Sequence, residues 1–125
     1  MAYLLDTHTL LWWFDDPDIL TSKARKTIED PKNVIFVSSV LTWEIMIKKS
    51  LGKLKVPDSI FTIIRKGKFQ ELPISIEHTR ALGSLPFHHQ DPFDRLLIAQ
   101  AKVEGSTIIT RDSRLAKYDV RIVKA

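Results

Sequence analysis

The chain contains no cysteine. That excludes a disulfide framework and thiolate chemistry, and it fits a reducing cytoplasm, the expected location. No apolar run approaches the roughly 20 residues of a membrane span, so no membrane attachment is expected. The opening residues, Met1 to Asp6, lack a basic stretch and reach an acid early, so they predict no signal peptide. Internal repeats, low-complexity tracts and linker-like segments are also missing, and residues 1–125 therefore read as one domain. What is present suits a globular domain that buries a core unaided: 125 residues, 44% hydrophobic and 27% charged. A formal net charge of +4 permits a nucleic-acid partner without demanding one.

Short apolar runs alternate with helical patterns. Ala2 to Leu5, Val34 to Val37 and Thr107 to Thr110 read as strands buried on both faces, and Val120 to Val123 as a last edge strand. Phe69 to Ile74 holds a short strand interrupted by Pro73. Helices are expected after Thr9, after Thr21 or Ser22, from Val40 to about Leu51, from Pro57 to near Gly67, from Ser75 to Gly83, and from Asp91 to Gly105, with a short one at Leu115. The alternation predicts an α/β fold with a mainly parallel central sheet, right-handed crossovers and helices on both faces.

In such sheets ligands bind outside the carboxyl ends of the strands. Asp6 directly follows the first strand, and Asp112 stands two residues after Thr110 at the end of a later one. Glu44 lies on an arc shared with Val40, Leu41, Ile47 and Leu51, where a carboxylate costs free energy unless paired or bound to metal. A salt bridge to Lys48, one turn on, is an equally good account of Glu44. Asp91, Pro92 and Asp94 suit the N-cap, N1 and N3 positions of the following helix. Capping explains Asp91, but not why Asp94 shares its stripe with Leu97, Ile98 and Ala101. Carboxylates gathered in one place raise each other's pKa, and a divalent cation removes the conflict. All-oxygen ligands suit Mg2+, or Mn2+ as a substitute, as one ion or two. Such an ion orients an attacking water, acidifies it and offsets charge on a phosphoryl oxygen, so the expected chemistry is phosphodiester hydrolysis.

Four motifs fall in order along nearly the whole chain: Leu4-Leu5-Asp6-Thr7-His8, Trp43-Glu44-Ile45, Asp91-Pro92-Phe93-Asp94-Arg95 with Leu97-Ile98-Ala99-Gln100-Ala101, and Thr110-Arg111-Asp112. In these the chain resembles PIN-domain proteins, most closely the VapC-type toxins of bacterial toxin–antitoxin pairs. The resemblance implies a compact α/β/α fold and a Mg2+-dependent ribonuclease. It assigns the acidic site, both metal-holding and catalytic, to Asp6, Glu44, Asp94 and Asp112. It also implies a homodimer and a small antitoxin partner, often one that binds DNA. Asp91 belongs to the motif in this branch, and its direct contact with the site is left open.

Secondary candidates are weaker. Thr110 can support the site through its hydroxyl, and Thr7 can bond a ligand or, the preferred reading, cap the first helix. His88 and His89 invite a general-base role, but an ion that activates water removes the need for one, and both are left outside the catalytic set. Of the basic residues Lys48, Lys49, Lys53, Lys55, Arg65, Lys66 and Lys68, only Lys48 projects near Glu44 and is a candidate RNA contact. Trp12, Trp13 and Trp43 can stack on bases but suit core or dimer packing better. The rival enzyme is a haloacid-dehalogenase-like phosphatase with Asp6 as nucleophile, which would want an aspartate where this chain has His8. A phospho-receiver would want an acidic pair where only Asp6 stands. The non-enzyme rival is an inert module that binds RNA or a protein partner.

Overall fold

In the computed structural model, which describes residues 1–125, five strands form one parallel sheet in the order β3-β2-β1-β4-β5. The strands are β1 (Ala2–Leu5), β2 (Val34–Ser38), β3 (Gln70–Leu72), β4 (Thr107–Thr110) and β5 (Ile122–Lys124). The helices are α1 (Thr7–Asp15), α2 (Ser22–Glu29), α3 (Ser39–Ser50), α4 (Ile60–Lys66), α5 (Ile76–Leu82) and α6 (Pro92–Glu104). Short 3-10 turns cover Pro17–Ile19 and Leu115–Lys117. The sheet, flanked by helices, is the expected PIN-like α/β/α arrangement.

The first strand sits at the centre because it is apolar and pairs on both sides. Leu4 lies opposite Phe36 of β2 and Ile108 of β4, and Leu5 opposite Ile109. Leu4, Leu5, Ile108 and Ile109 are all fully buried. The chain builds outward from β1 through β2 to β3, then crosses back to place β4 on the other side of β1. The order of strands reverses at the β1–β4 border, the position beyond whose strand ends ligands bind in sheets of this kind.

Helix boundaries follow local chemistry. Thr21, Ser38, Ser75 and Asp91 each cap a helix by accepting a backbone N–H, and Ser75 with His78 completes a reciprocal box. Gly105 ends α6 in the left-handed conformation at φ 66°. The first helix departs from expectation. Asp6, not Thr9, is its cap: Asp6 Oδ1 accepts from Thr9 N at 2.8 Å, while the Thr9 hydroxyl donates to the Ile109 carbonyl. A carboxylate directly after a strand meets the free amides first, which leaves the threonine to tie the helix to β4.

In α6 every residue from Arg95 to Ala101 is buried. Gln100, fully buried, accepts from the Ser38 hydroxyl and donates to the Pro73 carbonyl at 3.4 Å, so the helix interior stays hydrogen-bonded. No helix is long and apolar enough to cross a membrane.

The end of α6 yields a stability prediction. A Cβ at Gly105 meets nothing within 4 Å, so Gly105→Ala would be strained by its positive φ alone. Urea unfolding should show a loss of about 1 kcal/mol with an unchanged m-value.

Candidate active site

Asp6 and Asp112 lie just beyond the ends of β1 and β4, the two strands at that border. Asp6 leaves β1 and is almost fully buried. With Oδ1 engaged in the cap, its Oδ2 accepts from the Thr110 hydroxyl at the end of β4. The same Thr110 oxygen accepts from Asp112 N at 3.0 Å. One threonine thus ties the first acid to the backbone of the last.

A second threonine ties Asp6 to α3. Thr7, next to Asp6, donates from its hydroxyl to Glu44 Oε1 at 2.6 Å. This corrects the expectation that Thr7 caps the helix: with Asp6 in that role, the Thr7 side chain is free to cross to Glu44. Glu44 is 7% exposed, on the inward arc of α3, and its Oε2 accepts from Lys48 Nζ at 2.5 Å. The expected Lys48 pair is present, yet Glu44 is buried as well, so both readings of this residue hold together. Leu51 lies past the end of α3 and is exposed, so it does not extend the apolar arc.

Asp91 and Asp94 divide their work as the helix start suggests. Asp91 Oδ1 accepts from Phe93 N at 2.9 Å and Asp94 N at 3.0 Å. That cap fixes Asp94 one turn into α6, at the head of buried Leu97, Ile98 and Ala101. Asp112 is held by Arg114, whose guanidinium donates to both carboxylate oxygens, the shorter bond being 2.7 Å.

Electrostatics shows that these groups share one space. The Asp94 pKa is raised to about 6, first by burial and then by the Asp91, Glu44 and Asp112 carboxylates, against an opposing hydrogen bond from His89. Lys48 is held above its usual value mainly by its hydrogen bond to Glu44, with Asp91 and Asp94 adding to it. Asp112 is lowered by Arg114. Three of the four carboxylates therefore interact by charge, and Asp6 joins them through Thr7 and Thr110. No three acidic or histidine side chains close into a finished metal cage. Lys48 and Arg114 neutralise Glu44 and Asp112 in their place. The donor set nonetheless fits a hard divalent cation: all oxygen, buried or half-buried, and with excess negative charge centred on Asp94.

One residue set aside on sequence belongs here. His89 is half-buried and its Nε2 lies 3.3 Å from Asp94 Oδ2. Five residues separate them across a loop and a helix start, a separation that carries no periodic signal. His88 is exposed and packs edge-on against Tyr118. The other secondary candidates lie on the surface or in the core: Lys53, Lys55, Arg65, Lys66 and Lys68 are exposed, Lys49 pairs with Asp58, and Trp12 and Trp13 pack against the core. Trp43 is half exposed and meets Phe93 edge-on at 4.7 Å. A cavity of about 670 Å3 is lined by Trp43, Met46, Phe61, Ile64 and Phe69 rather than by the carboxylates.

Comparison with known proteins was informative at the level of family and fold. A family model described as PIN domain matches residues 3–121. The chain is 25% identical over 126 residues of alignment to Ribonuclease VapC22 of Mycobacterium tuberculosis, covering 92% of this chain and 90% of that protein. It superposes on a chain of VapBC2 from Rickettsia felis, solved bound to a DNA fragment from their promoter, with a TM-score of 0.76, 17% identity and 98% coverage of each chain. A chain of VapBC-1 from nontypeable Haemophilus influenzae gives a TM-score of 0.69 at 18% identity, covering 99% of this chain and 98% of that one. Such structural likeness speaks for the fold.

The charge on Asp94 makes a testable demand on stability. Its folded pKa of about 6 lies above the ordinary 3.8, so the folded state binds the proton more tightly than the unfolded state. Its contribution to stability is present at low pH and is lost as pH rises from about 4 through about 6. In metal-free buffer Asp94→Asn should raise unfolding free energy by on the order of 1–3 kcal/mol at about pH 7.5 and change it little at about pH 4. Denaturant titrations at the two pH values check both arms.

Proposed function

The chain belongs to the PIN domain family, and on that premise we propose that it is a divalent-metal-dependent ribonuclease that hydrolyses RNA phosphodiester bonds. In this reading it is the toxin of a type II toxin–antitoxin pair, acting in the cytoplasm to inhibit translation or growth. The observation that carries it is that Asp94 lies within the field of Glu44 and Asp112 and is driven up to about 6 by burial and its acidic neighbours, while Thr7 and Thr110 link Asp6 to Glu44 and to the Asp112 amide. Family membership and the likeness to a protein named as a ribonuclease support the chemistry, and likeness to chains of VapBC complexes supports an antitoxin partner. A homodimer is part of the same reading. Residues 1–125 are taken as one ribonuclease domain, in keeping with a single continuous sheet.

The roles divide by residue. Asp6, Glu44, Asp94 and Asp112 would hold Mg2+, with Mn2+ as a substitute. When bound, such an ion supplies an acidified, oriented water and offsets charge building on a phosphoryl oxygen. Thr7 and Thr110 fix the carboxylates of Glu44 and Asp6 by donating to them. Asp91 sets Asp94 through the helix cap and takes no direct part. Lys48 is the phosphate contact: its ammonium lies against Glu44, within the field of Asp91 and Asp94, and its side chain is about one-third exposed to an incoming strand.

Two experiments follow. Structured RNA incubated with the chain and Mg2+ or Mn2+ should be cut, and EDTA or Asp94→Asn should each lower the rate by at least about tenfold. Unchanged cutting by the variant would refute the site. RNA binding without cutting would favour the inert module, and phosphate transfer to Asp6 the phosphatase. Second, Lys48→Ala placed in the non-cleaving Asp94→Asn background should weaken RNA binding. It should also reduce the slope of log affinity against log salt by about 0.7, the share of one phosphate contact.

A further inference from the structure

Asp94 stands at the end of a chain of hydrogen bonds that starts on a buried arginine. Arg95, 7% exposed, donates from Nη1 to the Pro86 carbonyl at 2.8 Å and to Tyr118 Oη at 3.1 Å, and from Nη2 to the Leu85 carbonyl at 3.5 Å. The Phe87 ring covers the guanidinium carbon at 4.0 Å. Tyr118 is buried, and its Oη lies 2.9 Å from His89 Nδ1. His89 Nε2 then reaches Asp94 Oδ2 at 3.3 Å. Arg95 and Asp94 are adjacent in sequence, but successive helical residues point about 100° apart, so the cation approaches the carboxylate through its neighbours.

The direction of the first bond follows from what each group can do. A guanidinium only donates. Tyr118 Oη therefore accepts from Arg95 and has one hydrogen left, and its other partner is His89 Nδ1. When that hydrogen is donated to Nδ1, the neutral imidazole carries its own hydrogen on Nε2, the nitrogen that faces Asp94. Tyr118 Oη, both imidazole nitrogens and Asp94 Oδ2 are thereby each given a partner.

We propose that Arg95, Tyr118 and His89 form a positioning relay for the candidate metal site: they lock His89 as an Nε2–H donor, tie down Asp94 Oδ2 and leave Oδ1 as the oxygen offered to a divalent cation. The relay rests on the reading of Asp94 as a metal ligand. Its members touch neither RNA nor the ion. They act through Asp94, as partners outside a ligand shell do when they fix its orientation. A hydrophobic residue at position 89 could fill the same space, but it could not direct the carboxylate.

The test separates donation from packing. Mn2+ affinity is measured by calorimetry on the full chain and on His89→Gln, His89→Phe and Tyr118→Phe, with melting curves to establish folding. Glutamine keeps an N–H donor, and phenylalanine keeps only the ring. His89→Phe should lose about tenfold to a hundredfold in Mn2+ affinity, His89→Gln should stay within about threefold of wild type, and Tyr118→Phe should fall several-fold. In the metal-free wild-type chain, 15N-resolved imidazole signals should show His89 with its proton on Nε2, and Tyr118→Phe should mix the tautomers. Wild-type affinity in His89→Phe, or a proton on Nδ1 in the wild type, overturns the relay. A wild-type chain that fails to bind Mn2+ overturns the metal-site reading itself, and the tautomer signal distinguishes that failure from a failure of the relay.

Discussion

Like charges repel most strongly where water is scarce, and the open edge of this sheet holds several carboxylates at once. Each is restrained by at least one hydrogen-bond donor. Asp6 takes an amide of α1 and the Thr110 hydroxyl of β4, Glu44 takes Thr7 and Lys48, and Asp112 takes Arg114. Asp94 has only an imidazole at 3.3 Å, and its pKa carries the remaining repulsion. The acids are thus neither a salt-bridge network nor an open cluster. Three are individually compensated and the fourth is left wanting a positive charge, a distribution that suits a cation better than it suits an empty fold.

The same restraints weigh against the phosphatase alternative. Both oxygens of Asp6 are engaged as acceptors, which favours a fixed carboxylate over a mobile nucleophile. The residue two places on, His8, is exposed and lies beside Trp12 with ring centroids 5.7 Å apart.

Much of this could be read along the chain because local chemistry dictated it. Strands of β-branched and leucine residues, caps at Thr21, Ser38, Ser75 and Asp91, and glycine after α6 all act within a few residues of themselves. The position of the acids at strand ends followed from the parallel sheet. What sequence did not disclose depends on contacts between distant segments. Thr7 and Thr9 both gave up the expected capping role because Asp6 reached the first amides, and only the approach of α3 gives Thr7 its partner 37 residues away. His89 acquires meaning only when Tyr118, 29 residues on, lies against its ring. Strand order was hidden for the same reason: nothing local tells β4 to pass β2 and pair with β1.

That pairing has a consequence for synthesis. Asp6 and Thr110 are joined across 104 residues, and the Asp112 amide hangs on the same hydroxyl. A ribosome that has made the chain through α3 has produced Asp6 and Glu44, but not yet Thr110 or Asp112. Asp6 gains its Thr110 partner only when β4 takes its place beside β1, so this corner of the fold is set by a contact between segments made far apart in time.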